Sequence, residues 1–363
     1  MPAIHRHLLA LNERASADFV AAESARARHR ALHPTPLAAV KCMDGRVLFP
    51  KLTGTPVGLV QPFRAIGGRP EVYWPSFMGR LRRWVEEARA GGHRCVLFLT
   101  YHHSASDPHL GCAGFDYDTA SARAHAVELA RDLGWVFGEQ LEPIVAGIET
   151  DLDRLVLHGP SGDVDAGALP HAMAGTGGAG MEGEAGAIEQ AFVRAFPSMD
   201  PAIRRDLVPL IAGNVARVQE LRAHPKPATD RSHHERVIAV GQGFDWLHEA
   251  NLALIINDAD PDLAHAIRVA SRILATNLAE AREGEDAALV TCIPYREPGI
   301  DRRQAVARSL GLLELARRVL REEAPALLVE GRVHALAGVL HAPSRRFERI
   351  EEDLRARRMT LTP

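Results

Sequence analysis

Two stretches of this chain, RCVLFLTY at 94–101 and ALVTCIPY at 288–295, run apolar with almost no polar alternation. A strand with one wet face alternates apolar and polar residues, so an unbroken run of this kind suits a strand covered on both faces. Strand and helix signals alternate around the first run. PLAAVKC reads as a strand, and GTPVGLVQPFRAIGGRP as a short strand entering a Gly-rich turn. Ser76 is placed to cap a helix whose apolar residues Phe77, Leu81, Trp84 and Ala88 recur at helical spacing before Gly91-Gly92. Asp118 opens a second helix, DTASARAHAVELARDLGW, and EPIVAGIET and DRLVLHG read as strands. The expected class is α/β, with a mainly parallel sheet flanked by helices. Ligands in such folds gather at the carboxyl ends of strands, where Cys42 and Tyr101-His102-His103 fall.

A weaker echo of this half lies further along. ERVIAVGQGF (235–244) resembles AAVKCMDGRV and sets Val240 opposite Cys42, Gln242 opposite Asp44 and Phe244 opposite Arg46. ALVTCIPYREP resembles VLFLTYHHSAS and sets Tyr295 opposite Tyr101 and Arg296 opposite His102. Each candidate ligand of the first half meets a non-ligand in the second. The chain is therefore expected to be a duplication: an N-terminal helical segment over 1–35, a chemically active domain over 36–230, and a degenerate C-terminal copy over 231–363.

Several signals are read as structural. Residues 159–187 are rich in Gly and Ala and are expected to form a flexible loop or lid; their G-x-G-x-x-G at Gly175, Gly177 and Gly180 follows no apolar strand, which argues against a dinucleotide site. Residues 188–222 read as helical and 224–234 as a polar linker. His233-His234-Glu235 reads as a solvated turn, and Asp151 and Asp153 as strand-edge carboxylates. Arg64 suits either the site or a helix partner.

Composition narrows the function. A net charge of -3 over 363 residues gives no reason to expect nucleic acid or an anionic membrane as partner. No apolar run approaches a membrane span of about 20 residues, and the charged N-terminus lacks a signal-peptide core, so a cytoplasmic chain is expected. Four cysteines make no disulfide framework. Cys95 and Cys292 lie within apolar runs and read as packing residues, whereas Cys42 and Cys112 occupy Gly-containing polar junctions.

KCMDGRV (41–47) places a thiol, a carboxylate and a guanidinium at Cys42, Asp44 and Arg46, a spacing that puts all three on one side of an extended chain. Two thiolates and an imidazole leave one open position on a tetrahedral zinc ion, as a catalytic site requires. The set would be Cys42, Cys112 and one histidine of YHHSASDPHLGC. Zinc lowers the pKa of bound water to about 7. Asp44 is placed to accept a hydrogen bond from such a water, and Arg46 to keep Asp44 ionised and oriented.

These residues resemble the β-class carbonic anhydrases, and most closely their carboxysome-shell branch. The resemblance rests on CMDGR, Arg-Ala-Ile-Gly-Gly (64–68), YH…SDP…H-x-C-A, GIETDLD (147–153) and HERVIAVGQGFD…N (234–251), and runs through most of residues 35–310. It implies zinc held by Cys42, His102 and Cys112, with Asp44 and Arg46 as catalytic residues and CO2 and bicarbonate as substrate and product. Within the branch the ligand histidine follows the strand-end tyrosine, which selects His102. His103 and His109 are the alternatives, His109 because H-x-x-C is the spacing of ordinary β-class enzymes. Because ordinary members pair two domains, the degenerate copy is expected to supply that pairing surface within one chain, with further association as a homodimer or higher homo-oligomer. Alternatives are a hydrolase of the same fold acting on carbonyl sulfide or carbon disulfide, and a silent scaffold. The branch carries a long helical N-terminal domain where about 35 residues stand here, so a free cytosolic relative is expected, with the carboxysome as the other compartment.

Overall fold

The structure is a computed structural model that describes residues 1–171, 177–227, 230, 233–247, 249–280 and 285–350, without the side chains of 177–181. Gly175 and Gly177, two of the three glycines of the G-x-G-x-x-G run, lie at or beyond the edge of what is described. The chain forms two compact units, one of Ser24–Ser232 and one of Met1–Glu23 with His233–Pro363. The helical segment read over 1–35 is thus shared between them.

In chain order, α1 (Ala3–Ala21) belongs to the second unit and α2 (Glu23–Leu32) leads into the first. The first continues through β1 (Leu37–Cys42), α3 (Phe49–Thr53), β2 (Val60–Ala65), α4 (Pro75–Ala90), β3 (Cys95–His103), α5 (Thr119–Phe137) and β4 (Leu141–Glu149). It ends with β5 (Arg154–Gly159), β6 (Gly162–Asp165), α6 (Gly177–Ala195) and α7 (Pro201–Ala223). The second unit resumes with β7 (Val237–Gly241), β8 (Ala253–Ile256), α8 (Leu263–Glu280), β9 (Ala287–Tyr295), α9 (Ile300–Glu323), α10 (Pro325–Val329), β10 (Val333–His341) and β11 (Arg346–Arg349).

The two sheets have one plan. The first runs β2-β1-β3-β4-β5-β6, the second β8-β7-β9-β10-β11. The first four strands of each are parallel, and the next is added antiparallel. In the first unit Ala38, Val40, Leu97 and Leu99 face α4 and α5, while Ala39, Phe98, Ile144 and Ala146 face the helices α6 and α7. Covering both faces explains why RCVLFLTY shows no alternation. Each fully buried Leu or Phe here contributes about 1.5–3 kcal/mol relative to exposure. In the second unit Ile4, Leu8 and Leu11 of α1 join Val237, Ala239 and Val290 in one core.

Pairing register fixes which residues correspond. Leu37 pairs with Val60 and Val96, as Val237 pairs with Ala253 and Ala288. Cys95 pairs with Leu141, as Ala287 pairs with Val333. The equivalents of Cys42, Asp44 and Arg46 are therefore Gln242, Phe244 and Trp246, and that of His102 is Pro294. The sequence echo was offset by two residues from this register at both strands.

Other expectations change as well. Pro75 takes the first turn of α4, and Trp74, not Ser76, stands at its N-cap. Asp118 does cap α5, accepting from Ala120 N at 2.9 Å. The stretch read as a lid contains β6, which buries Val164, and the first half of α6. Glu235 is fully buried beside His233, where a solvated turn was expected. Asp153 pairs with Arg217 and Lys226, a structural role. Among the described residues no helix is long and apolar enough to cross a membrane.

Candidate metal centre

β1 and β3 are neighbours and both end at the same edge of the sheet, which brings Cys42 and His102 together. Cys112 arrives from the loop that follows β3. One ligand atom from each of the three lies within 4.8 Å of the others, and all three residues are buried. A tetrahedral ion about 2.3 Å from two sulfurs holds them about 3.8 Å apart; Cys42 Sγ and Cys112 Sγ are 3.9 Å apart. Both ring nitrogens of His102 are buried without a hydrogen-bond partner. Buried imidazole nitrogens without partners are costly, and a cation removes the cost. The donor set therefore fits a zinc-type ion, and three donors leave one position of a tetrahedron unassigned.

The thiols interact even without a cation. The hydrogen bond from Cys112 draws the Cys42 thiol well below its ordinary value against the opposing effect of burial, and His102 lowers it further. The same bond and burial push Cys112 up. A cation held by these residues would keep both sulfurs as thiolates. By contrast burial alone raises Cys95 to about 11, as suits an inert packing residue.

Asp44 and Arg46 do not continue an extended strand. β1 stops at Cys42, and the chain turns so that Arg46 N donates to Asp44 Oδ1 at 2.8 Å. The Arg46 side chain then folds back, donating from Nε to Oδ1 at 3.1 Å and from Nη2 to Oδ2 at 2.6 Å. Both side chains are almost wholly buried. Asp44 Oδ2 stands 3.8 Å from His102 Nε2, so the clamped carboxylate borders the ligand group.

Three further features build the site. Arg64 of β2 donates to the carbonyls of Cys42 at 2.9 Å and Asp44 at 3.3 Å, which answers what it partners. Thr100 Oγ donates to the Val40 carbonyl at 2.8 Å and ties β3 to β1 just before their ligands. The turn at Ile66–Gly68 packs onto both strand ends: a Cβ on Gly68 would sit 2.9 Å from the Thr100 carbonyl oxygen, at a φ of +65°. Gly114 packs on the same turn, with its Cβ position 2.8 Å from Gly67 Cα, and so seats the chain just after Cys112. The Arg-Ala-Ile-Gly-Gly motif carried this signal without its mechanism.

The alternative histidines lie elsewhere. His103 faces the other side of β3, its ring stacked on Tyr101, and burial lowers its pKa. His109 is exposed and meets only the edge of Tyr117 among ring contacts.

No family model matches the chain. The carboxysome shell carbonic anhydrase of Parasynechococcus marenigrum (strain WH8102) is 31% identical over 198 residues, covering 48% of this chain and 34% of the relative. The protein of the same name from Prochlorococcus marinus (strain MIT 9313) is 27% identical over 212 residues, covering 52% of this chain and 41% of the relative. The chain thus spans well under half the length of the curated relatives it matches. Over about half of its own length it is similar to carboxysome shell carbonic anhydrases, the branch that its motifs resemble.

Proposed function

We propose that the chain is a zinc-dependent carbonic anhydrase, hydrating CO2 reversibly to bicarbonate and a proton, with Cys42, His102 and Cys112 holding the metal. The observation that carries this reading is the group of two sulfurs and one imidazole within 4.8 Å, bordered by a buried Asp44–Arg46 pair. A zinc ion there would act as a Lewis acid and make hydroxide available near pH 7. Arg46 holds Asp44 ionised through two side-chain donors and its own N–H, leaving little freedom of orientation. Asp44 would then accept a hydrogen bond from an O–H group at the open ligand position and so set the nucleophile's orientation. A purely structural zinc has no use for that pair, which argues against a silent scaffold. Burial of the whole group suits a small uncharged substrate.

The names of the relatives favour CO2 over carbonyl sulfide and carbon disulfide. Stopped-flow hydration of all three by zinc-loaded protein, before and after chelation, tests the reading. Rapid CO2 hydration lost on chelation is expected; faster turnover of a sulfur-containing substrate would overturn the choice. We also read the C-terminal unit as a silent copy and the chain as a cytoplasmic homodimer, the latter tested by sedimentation equilibrium. Localisation by fluorescent fusion distinguishes free cytosol from carboxysome.

A further inference from the structure

His102 and Cys112 are ten residues apart, and the loop between them leaves the sheet and returns. It contributes little apolar anchoring: Ala105, Ser106, Pro108 and His109 are exposed. Yet it must deliver a sulfur to within about 0.2 Å of its place for a zinc bond to form. Ahead of Cys112, the loop's first residues are held by one carboxylate 45 residues onward from Ser106. Asp151 Oδ2 accepts from Ala105 N at 3.1 Å and Ser106 N at 2.8 Å, and both its oxygens lie 3.0 Å from Ser104 Oγ. Ser104 Oγ accepts in turn from Asp107 N at 3.2 Å, and Asp107 Oδ1 accepts from His109 N at 2.9 Å. The turn closes with Gly111 N on the Pro108 carbonyl at 2.8 Å, one residue before Cys112.

Asp151 is itself fixed. Its N–H donates to Glu149 Oε1 at 2.7 Å, and Thr150 N donates to the His103 carbonyl at 2.8 Å. Lys226 Nζ holds the Thr150 carbonyl at 2.8 Å. The segment after β4 is thus held firmly beside β3, and the ligand loop is tied to its Asp151 carboxylate. Burial works to raise the Asp151 carboxyl, but the bonds from Ser106, Ser104 and Glu149 prevail and hold it below the ordinary value. An ionised acceptor with three donors is the stronger form of such a hold.

We propose that Asp151 is a positioning residue of the metal centre: it holds the loop that places Cys112, and so governs how tightly the metal is kept. The inference rests on the Cys42–His102–Cys112 reading. Because the loop buries little apolar surface, loosening it costs the fold little; because it carries one of three ligands, the cost falls on the metal.

The test compares zinc-loaded parent, Asp151→Ala and Asp151→Asn for the rate of zinc transfer to an excess of a chromophoric chelator. Thermal melting of the metal-free proteins and the thiolate-to-metal absorption of their cobalt(II) forms are read alongside. Asp151→Ala is expected to release zinc about tenfold faster or more, at the low end of what orienting groups around a metal contribute. Asp151→Asn should release it less rapidly than Asp151→Ala, since an amide oxygen still accepts from the loop N–H groups. The metal-free variants should melt with the parent, and the thiolate absorption per cobalt should weaken in Asp151→Ala. Unchanged release in both variants would overturn the proposal, as would a lower melting temperature with unchanged release. If Asp151→Ala does not fold, Asp151→Asn decides alone: release at the parent rate overturns the role. A parent whose cobalt form shows no thiolate absorption would instead remove the metal site beneath it.

Discussion

The two units share a strand order and a register, and differ at the ends of the same strands. Where the first ends β1 in Cys42 and turns Asp44 against Arg46, the second places Gln242, Phe244 and Trp246. Gln242 donates to Asp258 at 2.9 Å, while Phe244 and Trp246 enter the apolar core beside Phe347. Where the first carries His102 one residue before the end of β3, the second has Pro294 one residue before the end of β9. The connections differ most: β3 is joined to α5 by residues 104–118, which carry Cys112, whereas β9 reaches α9 through 296–299 alone. The candidate metal group is thus built from two strand ends and one added loop on a sheet plan that both units share, and at the positions after β7 the second unit sets Phe244 and Trp246 into apolar core.

The largest expected effect separates the units outright. Cys42→Ser or Cys112→Ser should lose the metal and with it CO2 hydration, while Gln242→Ala, at the position equivalent to Cys42, should keep both. Metal analysis of the purified variants checks this; metal loss in Gln242→Ala would break the comparison. Next comes Asp44→Asn. It keeps every proposed ligand, so zinc should stay while the rate falls about a hundredfold or more, the range of positioned proton acceptors. Metal loss in this variant would make Asp44 part of the coordination instead of the chemistry.

Much of this contrast was legible in the sequence, for physical reasons that also mark where legibility ends. The unbroken apolar runs give both sheets, because a doubly covered strand leaves no other pattern. Cys42 and His102 follow from strand ends, and alternation along β3 turns His103 away, although selecting His102 needed the family's pattern. The echo was misplaced by two residues, a slip that leaves each side chain on its own face and is invisible to alternation. The Gly- and Ala-rich stretch suggested a loop, yet Val164 and Ala166 find core and the helix read from 188 begins at Gly177, against the weak helix preference of glycine. The Asp44–Arg46 turn, the Arg64 bonds to carbonyls and the Asp151 hold leave no periodic trace, since each joins a side chain to distant or turning backbone.

Two glycines near strand ends, one in each unit, sharpen the comparison at a smaller scale. Gly243, at a φ of +78°, would place a Cβ 2.8 Å from Leu340 Cδ2 and 3.1 Å from Pro294 Cγ. Gly243→Ala should therefore destabilise by about 1–3 kcal/mol through overpacking while metal content holds. Gly68→Ala presses on the Thr100 carbonyl, two residues before His102, and should weaken metal binding as well as stability. Denaturant melts with parallel zinc titrations separate the two. Equal loss of zinc affinity in both would mean that the second unit's strand ends matter to the metal after all.

The smallest effect concerns the second unit alone. His5 of α1 lies in its core with Nε2 buried and unpartnered, its ring edge-on to His334 at 5.9 Å. Burial lowers its pKa first; electrostatic repulsion from its basic neighbours, Arg349 among them, lowers it further, against a partial offset from a backbone bond at His334. The folded chain thus keeps His5 neutral while the unfolded chain takes up a proton near the ordinary value of about 6.5. Below that value the unfolded state binds more protons, so stability is full at higher pH and falls as pH drops through the window between the two pKa values. His5→Gln removes the titration and should flatten that part of the decline. The comparison is made in metal-free protein, because acid also releases zinc by protonating its ligands. Parallel decline of parent and variant between pH 7.5 and 5.5 would show that α1 does not feel the charge, and that acid acts on the second unit through other groups.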